Sequence, residues 1–320
     1  MIDKLDLRIP GHAFFTDEVG RFIREIDYAG GNLRMKPSRY YAGIADLRPM
    51  GIDALLHVHY RFREPHDNKL EILDVGKKSY SEIVQLIQTV TPVDADELGV
   101  MRLDLCADVH NVPVMWFQPR ARFEFKRFAR EDGELKYAQL GNDGVQTLTA
   151  GKRPNVFRIY DKPAECRMQY QRLIRKRPAD APELDFQHEF GFAPDAVITR
   201  IERQMGGRDV APIPTFADIP RLPEFNPFNR LQIVAGENHV PPTVEEAGLS
   251  DWLTGTRISQ LAHEMGMQQF RRWLNRVSGG NASRMLDKYA RYLPCADEDG
   301  ITAERVYAIY RESTKQQLAA

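Results

Sequence analysis

Apolar and polar residues alternate along DKLDLRIP near the start of the chain, and the same period of two returns in YYAGIADLRPMG, DALLHVHYRFRE and NKLEILDVG. Alternation of this kind marks a strand with one buried face. These segments therefore predict an antiparallel opening, with PHDN, residues 65–68, as a hairpin turn. In SYSEIVQLIQTV the apolar residues Ile83, Leu86, Ile87 and Val90 fall at helical spacing behind Ser79 or Ser81 as a cap, which predicts an amphipathic helix. VMRLDLCADVH and RARFEFKRFARE alternate again, and GVQTLTAG with NVFRIYDK reads as a hairpin closed by residues 151–154. AECRMQYQRLIRKR reads as a helix with Met168 and Leu173 or Ile174 inward and its arginines outward, and DAVITRIERQMGG as one more strand ended by glycines. Beyond the proline-rich PIPTFADIPRLPEFNPF and PPTVEEAG the pattern turns helical, with Trp252, Ile258, Leu261, Met265, Phe270 and Leu274 at helical intervals. The expected fold is α+β: an antiparallel sheet with flanking helices over residues 1–235, then a smaller all-helical C-terminal region over residues 236–320.

Period two also sorts the polar chemistry. Arg102, Asp104, Cys106, Asp108 and His110 share one face of their strand, Arg158, Tyr160 and Lys162 one face of theirs, and Arg200, Glu202 and Gln204 one face of a third. A phenol thus lies between two cations, and carboxylates lie on two other strands. The plain alternative is a sheet with one wet face held by cross-strand ion pairs, with no chemistry at all.

Composition adds bounds. The 320 residues exceed the usual size of one domain, the apolar fraction of 42% and charged fraction of 28% are those of an ordinary globular protein, and no apolar run approaches the roughly 18 residues of a membrane span. The opening MIDKLDLRIPGHAFF lacks the basic-then-apolar order of a secretory signal, and Cys106, Cys166 and Cys295 are too dispersed for a disulfide framework or a cysteine zinc site. A reducing cytoplasm is the expected location. The net charge of -1 conceals basic clusters interleaved with aromatics: Arg120, Arg122, Lys126, Arg127 and Arg130; Arg167, Arg172, Arg175, Lys176 and Arg177; and a third from Arg257 to Arg291 that includes Arg271, Arg272 and Arg276. Each alone reads as a solvated face; together they point to a phosphate-rich partner.

MIDKLDLRIP, the RLDL strand, the FRIYDKPAE element and the TRIERQ strand occur here in the order found in filamentous-phage replication initiators of the gene II type, and the last three also resemble initiators of staphylococcal-type rolling-circle plasmids. The resemblance is sharp over residues 1–12, follows motif order over about 100–210 and is loose beyond. It implies a nickase whose nucleophile is Tyr160, in a Y-x-K-x-x-E pattern completed by Lys162 and Glu165, with Asp104 and Glu202 at the acidic positions of the flanking strands and Asp108 as a third metal ligand. It further implies Mg2+ or Mn2+ as cofactor, origin DNA as substrate, a bacterial host's helicase and polymerase as partners, and no membrane. The chemistry is coherent: a tyrosine attacking a phosphodiester conserves the bond energy as a 5′-phosphotyrosine and frees a 3′-hydroxyl. A phenol with a pKa of about 10 needs nearby cations to do this, and Arg158 and Lys162 supply charge.

Two alternatives stay open. His57 and His59 in LLHVHYRF form the His-hydrophobe-His pattern of another nickase class, and paired imidazoles would favour manganese, cobalt, nickel or zinc. His188 and His263 read as surface or core residues. A non-enzymatic DNA-binding regulator would use the basic clusters without the carboxylates; the expected phosphate contacts are Arg120, Arg122, Lys126, Arg172, Arg175, Lys176, Arg271, Arg272 and Arg276. The C-terminal helices serve either as DNA grip or as a cap on the apolar face of the sheet.

Overall fold

The computed structural model describes residues 1–28, 39–117, 121–123, 136–140, 145–152, 155–177, 184–233, 243–265, 267–278, 284–285, 288–289, 292 and 301–320. Its strands are β1 (Ile2–Ile9), β2 (Tyr41–Asp46), β3 (Ala54–Tyr60), β4 (Asn68–Ile72), β5 (Gly99–His110), β6 (Ala121–Phe123), β7 (Lys136–Leu140), β8 (Val145–Lys152), β9 (Asn155–Asp161), β10 (Ile198–Gly206) and β11 (Leu231–Ile233). Its helices are α1 (Asp17–Tyr28), α2 (Tyr80–Val90), α3 (Val114–Phe117), α4 (Lys162–Lys176), α5 (Phe186–Phe190), α6 (Val244–Ala247), α7 (Leu249–Met265), α8 (Met267–Val277) and α9 (Ala303–Ala319).

Nine strands form one antiparallel sheet in the order β2-β3-β4-β1-β5-β10-β9-β8-β7, and β11 and β6 pair separately. The fold is α+β, as the alternation predicts. Leu5, Leu7, Leu103, Leu105, Ala107, Val109, Ile159 and Ile201 point to one face and build the main core with Ile83 and Ile87 of α2 and Val306 and Tyr310 of α9. The opposite face of the central strands is polar. β10 is buried along its whole length, because it lies inside the sheet with apolar packing on one face and charged neighbours on the other.

Local signals account for the element ends. Ser79 accepts from the Glu82 amide, and the Glu82 carboxylate reaches back to the Ser79 amide, a capping box that starts α2. Asp161 caps α4 by accepting from the Ala164 amide at 2.9 Å, and Pro163 sits in the first turn, where no backbone donor is needed.

One expectation changes. Leu173 and Ile174 are not turned inward: they stand 41% and 44% exposed, and α4 packs through Ala164 and Met168. Arg203, on the apolar side of β10, stays there by pairing with Asp209 at 2.7 Å. Ile258, Ala262, Phe270, Leu274, Tyr289 and Tyr292 make a small second cluster with Val197, where Gly255 admits the Tyr292 ring; a Cβ there would lie 2.5 Å from it. The last helix, α9, belongs instead to the main core. Of the RARFEFKRFARE segment, only 121–123 falls within the described residues.

Candidate active site

Tyr160 is the penultimate residue of β9, and α4 starts two residues later, so the phenol sits where a strand meets a helix N-terminus. In register it faces Arg200 of β10 on one side and Thr147 of β8 on the other. Ala164 and Met168 of α4 pack on it, leaving it 3% exposed. Its hydroxyl donates to Glu202 Oε2 at 3.0 Å. Glu202 is fully buried; Arg158 donates to both of its oxygens, at 2.6 and 2.7 Å, and Gln204 Nε2 donates to Oε1 at 2.8 Å. The Arg158 guanidinium also lies 5.2 Å from the centre of the Tyr160 ring.

The neighbouring acids are held in the same way. Arg102 pairs with Asp104 through two hydrogen bonds of 2.9 and 2.6 Å, Arg200 pairs with Asp108 at 2.6 and 2.7 Å and also reaches Asp3, and Lys162 reaches Glu165 at 2.8 Å. Burial, then the Glu202 charge, pushes the Tyr160 phenol well above its ordinary value, against a smaller opposing effect of Arg200. Burial raises Asp104 to about 6, with Glu202 adding to the rise and Arg102 opposing it. Burial also raises Asp108, but Arg200 outweighs it and holds that carboxyl low. For Arg158 burial works against the charge, and Glu202 and Tyr160 reverse the effect, so the guanidinium is held protonated more firmly than usual.

The structure thus gathers Tyr160, Arg158, Lys162, Glu165, Asp104, Asp108 and Glu202 on one face of three adjacent strands and the start of α4. Asp104 faces Gln204 in register, which puts it diagonal to Glu202. Asp104 and Glu202 are hard oxygen donors, the type that Mg2+ or Mn2+ takes. Each is engaged by a guanidinium, Arg102 and Arg158, whose side chains are 32% exposed. Among the described residues no three His, Cys, Asp or Glu side chains already converge as a metal cluster.

His57 and His59 have different surroundings. His57 is buried, with Nε2 3.2 Å from Glu71 Oε2, whereas His59 adopts a φ of 50°, is exposed and has its ring 6.3 Å from that of His66. β3 lies five strand spacings from β9, roughly 24 Å at about 4.8 Å each. Arg271 is buried and donates to Asp161 Oδ2 at 2.9 Å, tying α8 to the end of β9, and Arg272 pairs with Asp195 in the turn before β10. Arg172, Arg175 and Arg276 are exposed. Arg120 and Lys126 lie outside the described residues, as do the side chains of Arg122 and Lys176. The sequence reading missed Arg200 as a clamp on Asp3 and Asp108, although its place beside Glu202 on the polar face of β10 was the available signal.

No protein-family model matches the chain, and a search of curated proteins gives no significant match.

Proposed function

We propose that the chain is a replication initiator that nicks one strand of a phage or plasmid origin through Tyr160, forming a 5′-phosphotyrosine and leaving a 3′-hydroxyl for rolling-circle synthesis. The hydrogen bond from the Tyr160 hydroxyl to Glu202 is the observation that carries this reading. A phenol held neutral by burial needs a base within hydrogen-bond reach, and 3.0 Å satisfies that requirement. In the proposed step Tyr160 Oη attacks phosphorus as its proton passes to Glu202 Oε2, the bond from phosphorus to the 3′-oxygen breaks, and that oxygen takes a proton from solvent. Arg158 and Gln204 fix the carboxylate for the transfer. Lys162 and the N-terminus of α4, with its partial positive charge, favour an anionic phosphate beside Tyr160. Asp104 and Glu202 would hold Mg2+ or Mn2+, which when bound polarises the scissile phosphate.

This reading places the protein in the bacterial cytoplasm beside host helicase and polymerase; no helix among the described residues is long and apolar enough to cross a membrane. A second reading, a non-enzymatic DNA-binding regulator, is favoured by the complete pairing of Glu202, Asp104 and Asp108 with guanidinium groups. One experiment separates the two. Supercoiled DNA carrying the protein's own origin is incubated with wild type and with Tyr160→Phe in magnesium, and protein-linked 5′ ends are scored on a denaturing gel. Wild type gives the adduct, whereas Tyr160→Phe gives none and keeps its DNA affinity within about twofold, since only the nucleophilic oxygen is lost. An adduct with the Phe variant excludes Tyr160, and absence of adduct from both proteins favours the regulator.

A further inference from the structure

A second patch lies at the other end of the sheet, around the turn that joins β3 to β4. The Tyr40 and Tyr60 rings stack with centres 6.4 Å apart and an interplanar angle of 15°, and Phe62 meets both edge-on, at 6.4 and 6.3 Å. Phe62 is 71% exposed and Tyr40 49%. Isolated exposed rings are ordinary, but three in mutual contact at a surface expose stacking area that packing does not require. Cations surround them. The Arg39 guanidinium lies 5.7 Å from the Tyr40 ring centre, Arg61 is exposed and bonds through its backbone to Tyr40, and Arg63 is tied to Asp67 at 3.3 Å. Among the described residues neither Arg39 nor Arg61 is ion-paired, and Glu64 is the exposed acid of that turn.

We infer that this patch binds single-stranded DNA, with Tyr40 and Phe62 stacking on bases and Arg39 and Arg61 meeting phosphates. Aromatic faces beside exposed guanidinium groups match both halves of a nucleotide, and the match needs no particular base. The inference rests on the proposed function only in the choice of DNA over RNA. The cluster also continues inward, since Tyr60 meets Tyr41 at 5.2 Å and Tyr41 meets His57 at 5.1 Å, so the patch is anchored to the buried part of the sheet.

The test measures fluorescence anisotropy of a labelled 15-mer of thymidylate, without origin sequence and without divalent metal, so that loss of the nickase reading leaves it interpretable. The full-length chain is compared with Tyr40→Ala/Phe62→Ala, Tyr40→Phe/Phe62→Tyr and Arg39→Ala/Arg61→Ala, each first shown to melt as wild type does. The alanine pair on the rings should weaken binding at least tenfold, and the conservative pair should restore it. The arginine pair should weaken binding and flatten the plot of log affinity against log salt by about 1.4, since each phosphate contact on a single strand contributes roughly 0.7. Unchanged affinity in both alanine variants overturns the inference. So does dependence on the patch seen only with a uridylate 15-mer, or only with anionic phospholipid vesicles.

Discussion

At neutral pH Tyr160 is a protonated phenol, because burial and the adjacent Glu202 charge both disfavour the phenolate. Its reactivity as a nucleophile would then depend on proton transfer during attack. Glu202→Gln, which keeps the shape but accepts no proton, should lower adduct formation by about 10²–10⁴ while DNA binding persists, as single-turnover kinetics and anisotropy would show. Wild-type rates in Glu202→Gln would remove the base assignment. Asp104 sets a pH dependence. Its carboxyl is raised to about 6 in the folded chain, so between about pH 4 and 6 the folded state holds a proton that the unfolded state has released. Stability from this group is therefore complete below about pH 4 and is lost as pH rises through 6, by up to about 3 kcal/mol. Nicking that uses the ionised form should rise over the same interval. In Asp104→Asn the decline in melting temperature from pH 4 to 6 should shrink, and the rise in rate near pH 6 should disappear. Persistence of both would assign them to another group.

At the scale of elements, alternation placed the sheet well: β1, β5, β9 and β10 fall where period two predicts them, and the polar face that carries Tyr160, Asp104 and Glu202 follows from side-chain parity. Their mutual register was not legible, because parity selects a face but not the residue opposite on the next strand. That is why the hydrogen bond from the Tyr160 hydroxyl to Glu202 could not be read from the sequence. Val19, Phe22 and Ile23 announce α1 at helical spacing, and the sequence reading passed over them. The place of α9 was beyond reach for a different reason: an amphipathic pattern shows that a helix buries one face, not which surface receives it. Tyr310 of α9 is completely buried and donates to the Leu222 carbonyl at 3.0 Å. Tyr310→Ala should cost about 3–5 kcal/mol in urea denaturation, and a chain ending near residue 235 should fail to fold. Wild-type stability in either would show the sheet to be complete without its last helix.

At the scale of the whole molecule, the small cluster of α7 and α8 is joined to the sheet beside Tyr160 through the buried Arg271–Asp161 pair. The same Asp161 caps α4, so one carboxylate serves both the helix that covers the nucleophile and the unit docked against it. Arg271→Ala removes the partner of a buried charge and should cost about 3–5 kcal/mol. Limited proteolysis should then cut within 249–277 well before the sheet melts, whereas equal protection in variant and wild type would show that the pair joins nothing.

The position of β1 imposes an order in time. Its residues lie between β4 and β5, and the Ile2 amide donates to Gln317 Oε1 at 2.8 Å, while Gln317 Nε2 donates to the Val75 carbonyl, also at 2.8 Å. A ribosome adding about 5–20 residues per second needs roughly 16–60 s to travel from residue 2 to residue 317. For that interval β1 can find its sheet neighbours but not the helix that seals them, and the apolar surface formed by Leu5, Leu105 and Ile83 stays open on the nascent chain. The chain therefore carries exposed apolar surface while it is being made, the condition under which incomplete chains aggregate.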